Sequence, residues 1–167
     1  MTALRSIALL FGLGLLQIFL PQVWSGLGGV DWLLIYVVLA ALRGSFRQSI
    51  LLGAGAGLIQ DGLAGGIIGL HAFSKTAVAA IVATFGSLLV VRGPLLEATI
   101  TAVATALEGL IVVGWQGLLG RQVSLGPVDL LVRATATGAA TAVILYMSRR
   151  WQQRALIKRR GDRGGRG

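Results

Sequence analysis

Ionisable side chains inside apolar segments are the residues of this sequence with the clearest chemical potential. Six of them stand in or beside such segments: Asp61, His71, Lys75, Glu108, Asp129 and Arg133. Charged groups at membrane depth are costly, so each is a candidate functional residue. Their positions predict similar depths, so we expect them to face one outward-facing cavity or seam. It would hold a small ligand or a partner's membrane helix, or else contain internal ion pairs, Glu108 with Arg133 and Asp61 with Lys75, that fix helix order.

Catalytic chemistry finds little support in the remaining residue types. The chain has one His and no Cys, and no cluster with metal-ligand spacing. His71 stands three residues before Ser74, a spacing that occurs often by chance. The segment "GAGAGL" at 53–58 lies in an apolar stretch with no Lys after it, which is not the pattern of a phosphate-binding loop. We therefore predict no enzyme, no cofactor and no metal site.

The composition indicates an integral membrane protein. Of the 167 residues, 55% are hydrophobic and only 13% are charged, and the mean hydropathy is +0.82. A soluble domain of this size could not bury so much apolar surface. The lack of Cys also excludes a small secreted domain held by disulfides.

Six apolar segments predict an all-α bundle of six transmembrane helices, of which the second and third are shorter than the ~20 residues of a typical span. They cover about residues 4–20, 27–42, 48–60, 72–91, 95–119 and 128–147. The first could also be a signal peptide, although no small-x-small cleavage site follows it. Small residues at four-residue spacing, such as Ser49, Gly53 and Gly57, predict close helix packing.

The net charge of +9 is concentrated at one end of the chain. Residues 149–167 hold eight Arg or Lys against one Asp, which gives +7, and the other 148 residues carry +2. We predict a transmembrane domain over 1–148 and a basic, disordered cytoplasmic tail over 149–167. With six spans, both termini are then cytoplasmic, in agreement with the positive-inside rule. The tail would attract anionic lipid headgroups of the bilayer. No aromatic residue alternates with its Arg-Gly steps, so we do not predict nucleic-acid binding.

The segment "GLIQDGLAGGIIGLHAF", residues 57–73, resembles the signature of the rod shape-determining membrane protein MreD family. In that family a span ends in Gly-x-x-x-Asp, and a glycine-rich turn and a Gly-Leu-His start to the next span follow. The matching positions are Gly57, Gln60, Asp61, Gly65, Gly69, Leu70 and His71. The segment "DWLLIYVVLAALRG", residues 31–44, is similar to the family's Asp-led second span.

The resemblance implies a non-enzymatic scaffold subunit of the cell-elongation machinery in the bacterial inner membrane, which supports peptidoglycan synthesis. It implies MreC as the direct partner, and MreB filaments, RodA and its penicillin-binding transpeptidase as members of the complex. It also implies a fold similar to the six-helix substrate-binding subunits of energy-coupling-factor vitamin transporters. The alternative function is such a transporter subunit.

Asp61 has a physical role in this resemblance. A carboxylate at the end of one span can accept hydrogen bonds from the free N–H groups that begin the next span. We hypothesise that Gly57, Gln60, Asp61, Gly65, Gly69 and His71 shape an outer turn that binds MreC. The other interpretation is that this turn serves folding alone.

Overall fold

The structure is a computed structural model that describes the backbone of residues 3–23, 28–65, 68–88, 93–120 and 126–164. Side chains are described over 5–23, 28–63, 65, 68–86, 93–120 and 126–151. Within these ranges the chain forms six α-helices and no strand. They are α1 (Ala3–Val23), α2 (Trp32–Ala41), α3 (Phe46–Ala64), α4 (Leu70–Leu88), α5 (Pro94–Leu118) and α6 (Pro127–Gly164). The predicted all-α class and the six helices are confirmed.

Three of the described helices are long and apolar enough to cross a membrane. They contain the segments Arg5–Val23, Pro94–Leu118 and Pro127–Trp151, in α1, α5 and α6. Shorter apolar segments lie at Trp32–Ala41 in α2 and Leu70–Gly86 in α4. Crossing by α2, α3 and α4 therefore stays a prediction.

Local sequence signals explain where several helices begin and end. The Asp31 side chain caps α2 by accepting from the Leu34 N–H at 2.8 Å, and Ser45 and Gln48 form a capping box at the start of α3. Pro94 occupies the first position of α5, where no internal N–H partner is needed. At its other end α3 stops at Gly65, whose φ of 64° is the left-handed geometry of a helix C-cap.

Small residues set the spacing between neighbouring helices. A Cβ on Gly57 would stand 2.2 Å from Ala72 Cα, and one on Gly53 would stand 2.8 Å from the Lys75 carbonyl oxygen. The backbones of α3 and α4 can therefore approach only because these residues are glycines, as the predicted stripe requires. The same holds between α5 and α6, where a Cβ on Gly138 would stand 2.8 Å from Ala102 Cβ.

The short helix α2 lies at the centre of the bundle. It contacts all five of the other helices. Leu33, Leu34, Val37 and Val38 are completely buried. A polar group at the start of α2 is therefore enclosed by the rest of the bundle.

Helix α6 continues past the predicted end of the sixth span. The sequence analysis placed that end at Met147 and a disordered tail over 149–167, whereas the backbone is helical as far as Gly164. The segment "RRWQQRALIKRR" is rich in strong helix formers, which accounts for the continuation. The division into a membrane domain and a basic cytoplasmic tail stays a prediction.

Candidate functional site

Asp61 holds the connection between α3 and α4. The side chain is buried, and its Oδ2 accepts hydrogen bonds from the N–H groups of Gly69 at 2.8 Å and Ala72 at 3.2 Å. Its Oδ1 accepts from the His71 N–H at 3.0 Å. These are the free N–H groups at the start of α4, so the predicted capping role is confirmed. Helix α3 does not end at Asp61, as the sequence analysis had it, but continues to Ala64.

The two glycines of this connection have backbone angles that other residues rarely adopt. Gly65 has φ = 64° and Gly69 has φ = 100°. A Cβ at either position would meet no atom within 4 Å, and Ile68 between them is 81% exposed. We call residues Gly62–Gly65 with Ile68 and Gly69 the outer turn, and its end of the bundle the outer end. Gly66 and Ile67 lie outside the described residues.

The other predicted residues of the partner site are divided between the interior and a cavity. Gly57 is a packing position against Ala72 and has no free surface. Gln60 is half-buried, and its Oε1 is buried without a hydrogen-bond partner in the described part of the chain. The His71 side chain is half-buried and points toward Glu108. The exposed surface is thus provided by the outer turn itself, and Asp61 positions it from within.

A buried charge cluster lies beneath the outer turn. Lys75 is completely buried, and its Nζ lies 2.5 Å from Asp31 Oδ2 and 3.0 Å from Glu108 Oε1. The same Glu108 oxygen is 3.3 Å from His71 Nδ1 and accepts from Ser74 Oγ at 3.5 Å. We call this the Lys75 cluster; it joins α2, α4 and α5.

The predicted ion pairs Glu108 with Arg133 and Asp61 with Lys75 are therefore wrong. Asp61 accepts hydrogen bonds from the backbone N–H groups at the start of α4. Lys75, one helical turn after His71, pairs instead with Asp31 at the start of α2 and with Glu108 of α5. Glu108 takes Lys75 as its partner. Of the six predicted residues, Lys75 and His71 both meet Glu108 through their side chains.

Asp31 is the residue of this cluster that the sequence analysis missed. Its Oδ1 caps α2, its Oδ2 pairs with Lys75, and its N–H donates to Thr137 Oγ1 of α6 at 3.2 Å. A signal was available, because a Lys inside an apolar segment needs a carboxylate at the same depth. Asp31 begins an apolar segment at the matching end, but the sequence analysis used it only as part of the family resemblance.

Asp129 and Arg133 lie apart from the Lys75 cluster, at a cavity of about 430 Å³ at the outer end. His71, Gln116 and Val112 also line this cavity. Asp129 is exposed, and its Oδ2 accepts from the Gly126 N–H at 3.0 Å at the start of α6. The shared outward-facing cavity was predicted, and three of the six predicted residues line it.

A second ionic group lies at the opposite end of the bundle, which we call the inner end. Glu97 of α5 is buried, and its two carboxylate oxygens accept from Arg43 Nη2 at 2.5 Å and Arg149 Nη2 at 3.1 Å. Both arginine side chains are largely exposed, at 60% and 46%. We call this the Glu97 cluster.

The comparisons with known proteins give one family. The family model described as rod shape-determining protein MreD matches residues 3–147, which include the whole segment 57–73. The chain belongs to the MreD family. No curated protein matches it, and no solved structure does. Similarity to the energy-coupling-factor subunits therefore stays a prediction.

Membership of the MreD family places the chain among membrane proteins with a structural role in rod shape determination. It acts with the shape-determining machinery. The matched range contains the outer turn and the Lys75 cluster, and the basic tail, residues 149–167, lies beyond it.

Proposed function

We propose that this MreD-family chain is a non-enzymatic scaffold subunit of the cell-elongation machinery, and that its outer turn binds MreC directly. In this proposal MreB filaments, RodA and its penicillin-binding transpeptidase belong to the same complex, and the assembly supports peptidoglycan synthesis. The observation that carries the proposal is the Asp61 carboxylate, which fixes the turn through three backbone N–H groups.

A fixed turn is suited to binding because its shape is set before the partner arrives. Each half of the connection is constrained: Gly65 ends α3 in a left-handed conformation, and Asp61 holds Gly69 and His71. The surface above it is uncovered, with Ile68 exposed. An exposed apolar side chain on a rigid support can bury apolar area against a partner without ordering the turn first.

An aromatic pair extends this surface toward the lipid-facing side. Phe73 of α4 and Trp115 of α5 meet edge to face, with ring centroids 5.7 Å apart and an interplanar angle of 84°. Both are partly exposed, at 53% and 39%. Aromatic rings at this level suit the membrane–water boundary. A partner with a membrane helix and an adjoining external segment would contact both the pair and the turn.

The charge distribution supports an external position for the outer turn. Arg43 and Arg47 flank the start of α3, and Arg149 and Arg150 stand at the same inner end, opposite the turn. Basic residues concentrate on the cytoplasmic side of membrane proteins. We therefore propose the cytoplasmic membrane as the location, with both termini in the cytoplasm and the outer turn outside.

The test replaces Gly62, in the last turn of α3, with Trp. Gly62 has ordinary helical geometry, and a Cβ there would meet nothing within 4 Å, so a side chain can leave the backbone at this position without a clash at its first carbon. We expect Gly62→Trp to abolish co-purification of MreC while the protein stays in the membrane. Gly12→Trp on α1, equally open, is the matched control and should keep MreC.

A second variant, Gly69→Leu, changes the turn itself, because φ = 100° strains any L side chain. It should also lose MreC. Normal recovery of MreC with both Gly62→Trp and Gly69→Leu would refute the docking surface. In a rod-shaped host that depends on this protein, depletion should produce round cells; unchanged shape would refute the role in elongation.

A further inference from the structure

Arg133 stands where two cavities of the outer end meet. The larger, about 430 Å³, is the one shared with His71, Gln116 and Asp129. The smaller, about 210 Å³, is lined by polar side chains of α1 and α3, Gln17 and Gln60. Arg133 and Gly28 line both cavities. The half-buried guanidinium side chain is therefore accessible from two sides.

The acidic residues of the chain are committed elsewhere. The sequence has six of them. Four have the partners already described: Asp31 and Glu108 hold Lys75, Glu97 holds two arginines, and Asp61 holds backbone N–H groups. The residues outside the described ranges within 24–125 include no Asp or Glu.

The remaining two acidic residues do not neutralise Arg133. Asp129, one turn earlier on α6, accepts from the Gly126 N–H and forms no ion pair with Arg133 in the described structure. Asp162 lies 29 positions further along the same helix (162 − 133), about 43 Å away at 1.5 Å per residue. Arg133 thus lacks an ion-pair partner within the described part of the chain.

Arg133 lies deep enough in an apolar segment for the missing ion-pair partner to carry a cost. It stands six residues after Pro127, about 9 Å into the helix, within the apolar segment Pro127–Trp151. Its neighbours Leu131 and Val132 are exposed apolar side chains that indicate a lipid-facing surface, and Val132 also lines the larger cavity. An arginine keeps its charge at any relevant pH. A charged side chain at this depth without a partner is costly.

The chemistry around Arg133 suits a phosphate group. The planar guanidinium binds phosphate through two parallel hydrogen bonds. Gly28 and Gly29 line the larger cavity without side chains and leave room for a headgroup. In the smaller cavity Gln60 Oε1 is buried and unpartnered in the described part of the chain, so it can accept a hydrogen bond from a ligand hydroxyl or amine. At the edge of the hydrocarbon, lipid headgroups supply phosphates.

We propose that the two cavities around Arg133 form a binding site for a phosphate-bearing molecule whose phosphate pairs with the guanidinium. The phosphate comes from the headgroup of an outer-leaflet phospholipid or from a soluble phosphate ester. The site goes beyond the scaffold role and does not depend on MreC.

The test uses the full-length protein, purified and delipidated in a neutral detergent. The probes are phosphatidylglycerol and, separately, glycerol phosphate; binding is measured by titration and by the shift in melting temperature. We expect the Arg133→Gln variant to bind about tenfold more weakly than wild type, since it loses charge-assisted hydrogen bonds. Without a probe it should melt at the same temperature as wild type or higher, because an unpaired charge is removed.

Two further variants complete the test. Arg150→Gln, an exposed arginine at the inner end of the same helix, should bind both probes like wild type. Arg133→Lys keeps the charge but loses the two parallel hydrogen bonds of the guanidinium, so it should bind both probes severalfold more weakly than wild type. It replaces Arg133→Gln in the test if that variant does not accumulate in the membrane. Binding of phosphatidylglycerol alone identifies the lipid source, and equal binding of glycerol phosphate identifies the soluble source. If neither probe binds wild type more tightly than the Arg133 variants, the proposal is overturned.

Discussion

The Lys75 cluster and the Glu97 cluster are mirror images in charge. In the first, one buried cation lies between two carboxylates; in the second, one buried carboxylate lies between two cations. Their surroundings differ. Lys75, Asp31 and Glu108 of the Lys75 cluster are buried, with side-chain exposures of 0%, 3% and 6%, whereas both arginines of the Glu97 cluster are largely exposed.

This difference assigns the two clusters different roles in stability. Charges that are fully removed from water depend on one another, and loss of one partner leaves an uncompensated buried charge. Arginines in contact with water keep most of their hydration, so an ion pair there contributes little. We expect the Lys75 cluster to fix the order of α2, α4 and α5, and the Glu97 cluster to add a smaller link between α5, α6 and the end of α2.

Lys75→Met should have the largest effect on stability of the variants in either cluster. The variant leaves Asp31 and Glu108 close together and buried without their cation, so the free energy of unfolding should fall by about 3–5 kcal/mol. Thermal unfolding in detergent, followed by circular dichroism, measures the loss. The triple variant Lys75→Met, Asp31→Asn, Glu108→Gln removes the charges together and should recover much of it. A single variant as stable as wild type would show that the cluster does not hold the bundle.

Glu97→Gln should have a smaller effect, about 1 kcal/mol. The amide oxygen still accepts a hydrogen bond from one arginine, and the other arginine turns to water. The same unfolding measurement applies, repeated at high salt, where wild type should approach the variant because exposed ion pairs are screened. A loss as large as that of Lys75→Met would remove the distinction between the clusters.

Arg43→Gln should have the smallest effect, within about 0.5 kcal/mol, because Arg149 still pairs with Glu97 and the Arg43 side chain is 60% exposed. Comparison with Arg47→Gln, an exposed arginine four residues later, separates the ion pair from the loss of one positive charge. If Arg43→Gln lowers the free energy of unfolding clearly more than Arg47→Gln does, the ion pair of Arg43 with Glu97 stabilises the inner end more than this comparison predicts.

The sequence predicted the features that depend on neighbouring residues. Apolar segments predicted six helices, the glycines at 53 and 57 predicted close packing, and Asp61 before a glycine-rich stretch predicted the capping of α4. Each of these features follows from residues that are close in sequence or that recur at the spacing of one helical turn. The basic charge of residues 149–167 predicted a disordered tail, but the segment "WQQRALIKRR" is rich in strong helix formers and continues α6.

The pairing of charges could not be predicted in the same way. Depth along a helix suggested Glu108 with Arg133, but the partner depends on how each helix is rotated about its axis, and Lys75 reaches Glu108 instead. Asp31 begins the most enclosed helix, a fact that appears only when the five surrounding helices are in place. Sequence thus indicated which residues are unusual, and the packing decided which of them meet.

We propose that the outer turn, held by Asp61, is the contact surface for MreC, whereas the charge clusters hold the fold. Site-specific photo-crosslinking tests it most directly, with a photoreactive phenylalanine at Ile68, which is 81% exposed on the outer turn, and at Phe11, which is 53% exposed on α1. We expect a crosslink to MreC from position 68 and none from position 11. No crosslink from position 68, or equal crosslinks from both positions, would contradict it.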